Sequence, residues 1–284
     1  MAYEQFIPEL WASDVITSLQ KSLVFGSVAN RNYEGEITDA GSVVKINYLG
    51  DVTISNYDPD TTTLTYPSLD DAQRELKVNQ VKSFSFGVPD IAAAQAKPET
   101  RAKAMVNAAY GLKNAADSYI AGLYTEAGIV DSLGTEATAI DITSVNITEY
   151  VGLIGQKMDE NNVPDMGRWL IAPPWFIQKL VLAKIVLDTN NSEILSSGYM
   201  GRYLGFDIYK SNNVSVKTAA TNQGSRILAG VSDSITMAEQ ILKMETLRLE
   251  TKFTDGIRGL YVYGAKVVRP ETLACLRADY TDEP

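Results

Sequence analysis

Apolar positions change their spacing several times along this chain, and each change marks an element. Leu10, Trp11, Val15, Ile16, Leu19, Leu23 and Val24 recur at helical spacing. They predict a short amphipathic helix within residues 1–36, whose apolar stripe must be covered by another surface. Gly26 to Gly35 then reads as an extended linker with turn residues. From 37 to 88 the period drops to two: Val44, Ile46 and Tyr48 alternate with polar residues, as do Leu76 and Val78, then Phe84 and Phe86. Between them, Asp51 to Gln73 is rich in Thr, Asp, Ser and Tyr and poor in aliphatics. A hairpin with so little apolar surface cannot hold itself together in water. It is expected to project and rest on a neighbouring subunit.

Helical spacing returns after Pro89, with Asp90 as a plausible N-cap and Pro98 breaking or restarting the helix. From Glu99 to Glu126 one face carries Met105, Ala109, Leu112, Ala116, Tyr119, Ile120 and Leu123. That helix would be about 40 Å long. Residues 128–142 read as loop or short strands. Asn146 with Glu149 resembles a capping pair opening a helix through Ile147, Val151, Ile154 and Met158. Asn161 to Gly167 is a turn, and Trp169 to Ala172 a short buried strand. Pro173-Pro174 starts a further helix through Trp175, Ile177, Leu180 and Val181. This alternation predicts a mixed α/β unit over 140–240. At the end, Leu247, Leu249, Thr251 and Phe253 alternate, Asp255-Gly256 reads as a turn, and Leu260, Val262 and Ala265 to Val268 follow as strand. No internal repeat or low-complexity tract interrupts the pattern.

Composition narrows the function. The 284 residues include 45% hydrophobic and 21% charged, enough for an ordinary core. A net charge of −10 argues against binding nucleic acid by neutralising phosphates, which needs clustered Lys and Arg. No apolar run of about 18 residues exists, so no membrane helix is expected. The opening Met1-Ala2-Tyr3-Glu4-Gln5 lacks the basic start and apolar stretch of a signal peptide. The chain has no histidine and one cysteine, which removes most routes to metal-assisted, triad or thiol chemistry. Cys275 has no partner for an internal disulfide, which fits a reducing cytoplasm. No catalytic, cofactor-binding or metal residue is assigned.

Several local groupings have bland explanations. Cys275 lies among Leu273, Ala274 and Leu276 and reads as a buried structural thiol. Asp58-Pro59-Asp60 and Asp70-Asp71 lack calcium-loop spacing and read as solvated loop charge. Gly198 to Gly205 matches neither a phosphate loop nor a dinucleotide fingerprint and reads as a tight turn. Arg31 and Arg168 adjoin aromatics, Tyr33 and Trp169; each is either an inter-subunit anchor or a local stacking pair. The candidates for inter-subunit contact are Trp11, Arg31, Tyr33, Asp58, Asp60 and Tyr66.

Five segments, in order, carry a family resemblance: Trp11 to Ile37 (WASDVITSLQKSLVFGSVANRNYEGEI), Gly87 to Ala96 (GVPDIAAAQA), Val163 to Phe176 (VPDMGRWLIAPPWF), Gly201 to Asn213 (GRYLGFDIYKSNN) and Gly256 to Leu273 (GIRGLYVYGAKVVRPETL). Together they resemble the major capsid (coat) proteins of tailed bacteriophages, of the Hong-Kong-97-type fold and nearest the P22-like coat proteins. The resemblance covers nearly the whole chain. It implies an α+β fold with an N-terminal arm over 1–36 and an extended β loop over 37–88. A peripheral domain, with a long spine helix, would combine 89–139 with 241–284, and an axial domain would span 140–240. It further implies a homo-oligomer of pentamers and hexamers, forming an icosahedral shell around double-stranded DNA without sequence-specific binding. A separate scaffolding protein and a portal protein would be partners, no membrane would be involved, and the chain would reside in the virion after synthesis in the host cytoplasm. The span 128–242 is too short for the accessory domain of the P22-like coat. Lys77 and Lys82 lie in the loop region, but the covalent cross-linking of some relatives is not carried over to them. Two rivals are an encapsulin-type nanocompartment and another virion part, such as a decoration protein. From a different class comes a metal-dependent enzyme using acidic residues.

Overall fold

The computed structural model describes residues 24–32, 43–49, 71–89, 99–183, 199–216, 224–248 and 254–280. Its architecture is mixed α/β. A six-stranded sheet is built from β4 (Ile140–Asp141), β5 (Arg168–Ala172), β6 (Tyr199–Tyr203), β7 (Phe206–Lys210), β8 (Ser225–Val231) and β11 (Ala274–Asp279), in the spatial order β4-β11-β8-β5-β7-β6. β5 and β7 run parallel, and β8 is antiparallel to both β5 and β11. Every residue of β5 and of β8 is buried. Such unbroken apolar runs arise when both faces of a strand are covered. One face carries Leu170, Ala172, Ile208, Ile227, Ala229 and Leu276 under two helices, α3 (Ile147–Glu160) and α4 (Pro174–Leu182). The other face, with Trp169, Ile171, Leu228 and Cys275, belongs to a second core.

That second core joins the sheet to a long helix and a long antiparallel ribbon. The helix, α2 (Glu99–Ala121), buries Ala109, Leu112, Ala116 and Ile120, the face expected from the sequence. Its predicted last turn tightens into a 3-10 segment, Gly122–Glu126. The ribbon pairs β9 (Ile235–Arg248) with β10 (Thr254–Val267), and β3 (Gln80–Pro89) extends it in the order β3-β10-β9. Tyr261, Tyr263 and Ala265 of β10 lie in this core together with the buried face of α2. A small third core holds the base of the hairpin formed by β1 (Val43–Leu49) and β2 (Asp71–Lys77). There Val44, Ile46, Leu76 and Val78 meet Ala238 and Val262 of the ribbon. Thus the hairpin's base rests on its own chain, while residues 50–70 lie outside the described ones.

Five local expectations need correction. Gly26 to Val28 are not linker but part of a short helix, α1 (Val24–Val28), held by a partner distant in sequence. Glu149 does not cap α3. Instead Thr143 and Asn146 bond reciprocally: the Asn146 amide donates to Thr143 Oγ1 at 3.3 Å, and the Thr143 amide to Asn146 Oδ1 at 2.8 Å. In α4 the buried face is Phe176, Ile177 and Leu180, and Val181 is 57% exposed. Asp255-Gly256 is not a turn; both residues lie within β10, opposite Arg248 and Leu247. An Asp255–Arg248 ion pair at 3.0 Å spans the strands there. Finally, the last strand, β11, does not join the β9–β10 ribbon. It inserts between β4 and β8, because its Ala274, Cys275, Leu276 and Ala278 are all fully buried on the sheet's two faces.

Candidate assembly surfaces and the arm clamp

A helix of five residues has no stability of its own. What holds α1 is a carboxylate on α2. The Phe25 amide donates to Asp117 Oδ1 at 2.9 Å, and the amides of Val24 and Gly26 turn to the same group. Asn213, after β7, donates to Asp117 Oδ2 at 3.0 Å. Asp117 is 3% exposed. Burial pushes its carboxyl above the usual carboxylate range, against the opposing pull of Asn213 and the three amides. Phe25, Val28 and Ala29 then bury in the core beside α2.

Two residues on, the chain catches the free edge of β9. Asn30 donates to the Ile235 carbonyl at 2.8 Å and accepts from the Met237 amide at 2.9 Å. Its side chain accepts from the Asn32 amide at 3.0 Å, turning the chain away from the edge. Arg31 ion-pairs with Glu239 of β9, and Tyr261 of β10 donates its hydroxyl to the other oxygen of that carboxylate. Burial and the Glu239 charge raise the Tyr261 phenol, so it stays a donor. Lys113 on α2 lies near the same charge; burial lowers its ammonium, and Glu239 offsets part of that.

Of the residues expected to meet other subunits, only Arg31 is described, and it is engaged within its own chain. Trp11, Tyr33, Asp58, Asp60 and Tyr66 lie outside the described residues, as do Asp90, Leu249, Thr251 and Phe253. Arg168 resolves in favour of a local role. It is buried, pairs with Asp159 at 2.7 Å and Asp165 at 2.9 Å, and donates to the Pro164 carbonyl at 2.9 Å. It thereby ties down the turn in which Asn162 (φ 56°) and Gly167 (φ 74°) adopt left-handed conformations. Asp117 and Glu239, which fix the arm, escaped the sequence reading. The available signal was an acid directly beside the apolar stripe of α2.

Elsewhere, chemistry gives way to structure. Gly201 to Gly205 form a β hairpin, with Leu204 (φ 47°) and Gly205 (φ 84°) at its turn. Cys275 is fully buried and its thiol is pushed up to about 11 by desolvation. Glu136 bridges Arg226 at 2.7 Å and Arg277 at 2.9 Å, which hold its carboxyl down at about 2. Arg226 also lies 4.4 Å over the Tyr124 ring. Among the described residues no three His, Cys, Asp or Glu side chains are grouped to hold a metal, and no helix is long and apolar enough to cross a membrane.

The surfaces that remain open are long and β-rich. Both outer strands of the three-stranded sheet, β3 and β9, keep a free edge over much of their length among the described residues. On the face away from α2, Ser83, Lys243, Glu245, Arg258 and Leu260 line a shallow trough. Free edges and open troughs suit association with other chains.

No protein-family model matches the chain, and no curated protein matches it by sequence. Solved structures do match. A chain from Mycobacterium phage Che8 is 25% identical with a TM-score of 0.70, over 89% of this chain and 90% of that one. The capsid of the cyanophage P-SCSP1u gives 18% identity and a TM-score of 0.70, over 92% of this chain and 89% of that one. The capsid of Ralstonia phage GP4 gives 11% identity and 0.67, over 93% and 92%. The resemblance to phage capsid proteins is borne out at the level of the fold.

Proposed function

We propose that this chain, which has the fold of phage capsid proteins, is the major capsid protein of a tailed bacteriophage and assembles into an icosahedral shell around double-stranded DNA. One observation carries the reading: the shared fold spans 92% of this chain and 89% of the cyanophage capsid chain. It is a likeness of whole chains, not of one module.

The parts then take the roles that the resemblance implies. Residues 1–36 are the arm and 37–88 the extended loop. Residue ranges 89–139 and 241–284 form the peripheral domain, with α2 as its spine, and 140–240 the axial domain, to which β11 adds a strand. The segment 50–70 rests on an adjacent subunit, and Trp11, Tyr33, Asp58, Asp60 and Tyr66 make contacts between subunits. Arg31 acts earlier, by fixing the direction in which the arm leaves its own subunit. Many modest contacts repeated by symmetry stabilise a closed shell. A separate scaffolding protein guides closure, and a portal protein occupies one vertex. The net charge of −10 keeps packaged DNA from adhering to the inner wall. The reading assigns the chain no catalytic step.

Electron microscopy of the protein, expressed alone and with its candidate scaffold, tests this. Closed shells tens of nanometres across are expected. Monomers or small oligomers under both conditions would overturn it. Shells that enclose an enzyme rather than DNA in infected cells would transfer the chain to the nanocompartments.

A further inference from the structure

Helix α2 leaves two large apolar side chains in water: Val106 is 58% exposed and Tyr110 is 67% exposed. They stand four residues apart and so share one face. Next to Tyr110 that face drops into a cavity of about 180 Å³, lined by Val24, Tyr110, Lys113, Asn114, Asp117 and Lys210 among others. We propose that residues 10–23 of the same chain cover this face, laying the apolar stripe of Leu10, Trp11, Val15, Ile16, Leu19 and Leu23 along Val106 and Tyr110.

Four observations point to that occupant. First, Val24 itself lines the cavity, so Leu23 is one peptide, about 3.8 Å, from it. Second, a carboxylate across the first amides of α1 marks a helix start, so the preceding segment departs at an angle over the cavity. Third, the lengths fit: residues 10–23 span about 21 Å as a helix, and α2 from Asp117 back to Glu99 runs about 27 Å. Fourth, the charges complement. Residues 1–23 carry Glu4, Glu9 and Asp14 against Lys21, and the cavity presents Lys113 and Lys210. A stripe without a cover and a cover without a stripe thus meet at Val24. This holds whether or not the chain builds a shell, and it is read in the free subunit.

The test is cysteine cross-linking in the full-length subunit at low concentration. Native Cys275 is fully buried, so the engineered thiols alone react. Tyr110→Cys is combined in turn with Ile16→Cys, Leu19→Cys and Leu23→Cys, and with Thr17→Cys from the opposite side of the stripe as control. An intrachain disulfide is expected in at least one of the three pairs and not in the control. No disulfide in any of the three, equal reaction of the Thr17→Cys control, or bonds only between chains would each overturn the proposal; the last would place the segment on a second copy. Because double variants can misfold, Tyr110→Glu provides a second reading, since it alters an exposed site. It should speed tryptic cleavage after Lys21 about tenfold by undocking the segment, and an unchanged rate would count against docking.

Discussion

Gly264 gives the sharpest test of how the extended hairpin is attached. A methyl group placed there would lie 2.4 Å from the Lys77 carbonyl oxygen, 2.9 Å from Val78 Cα and 3.1 Å from the Lys77 carbonyl carbon. All three are backbone atoms, so no rotamer change relieves the clash, and β2 must move off β10. Gly264→Ala should therefore cost about 1–3 kcal/mol, as overpacking does. The cost falls on one small core, in which Val44, Ile46, Leu76 and Val78 have only Ala238 and Val262 as buried partners. A loss of about 2 kcal/mol is roughly a 30-fold change in an opening equilibrium. Hydrogen exchange should therefore accelerate by about that factor in 43–49 and 71–78, with the six-stranded sheet unaffected. Gly259→Ala is the internal comparison. Its methyl would meet the Phe84 ring at 2.4 Å, a side chain that can turn aside, so its effect should be smaller. Unchanged exchange in the hairpin, or equal acceleration throughout the molecule, would refute the reasoning.

Three further outcomes follow from named contacts. Asp117→Ala removes the acceptor for the first amides of α1 and should lower stability by about 1–3 kcal/mol in chemical denaturation. Because Asp117 is raised in the folded protein, its contribution is present below the ordinary carboxylate range and lost as pH rises through the folded value. Asp117→Asn should accordingly remove that part of the pH profile, and identical profiles would contradict it. Glu136 works in the opposite sense: held down at about 2, it stabilises above the ordinary range near 4.5 and ceases to as pH falls toward about 2. Since its side chain is half exposed, Glu136→Gln should cost only about 1 kcal/mol at pH 7, and melts of variant and parent should converge near pH 2. Finally, subunits of charge −10 repel one another, so assembly followed by light scattering should improve as salt brings the screening length below about 10 Å. Salt-independent assembly would rule out that repulsion as a barrier.

The sequence by itself determined those elements whose signal is local. The stripe from Ala109 to Leu123 places a long helix, because a 3.6-residue period depends only on near neighbours. The unbroken run Trp169 to Ala172 marks a buried strand, and Val44, Ile46, Leu76 and Val78 mark the one apolar face of a hairpin, for the same reason. The absence of histidine and the burial expected of Cys275 likewise needed no structure. Tertiary structure alone decided what distant segments do to one another. Asp255-Gly256 carries a turn signal, yet pairing on both sides with β9 and β3 holds it extended. Gly26 reads as linker, yet Asp117, 91 residues further on, supplies the cap that makes its segment helical. Ala274–Asp279 alternates like any strand, but its place between β4 and β8 depends on which faces remain to be covered once the other strands have paired. The arm clamp belongs to this second class. Its carboxylates bear no local mark of their role, since a buried acid is recognised only by the donors the fold brings to it.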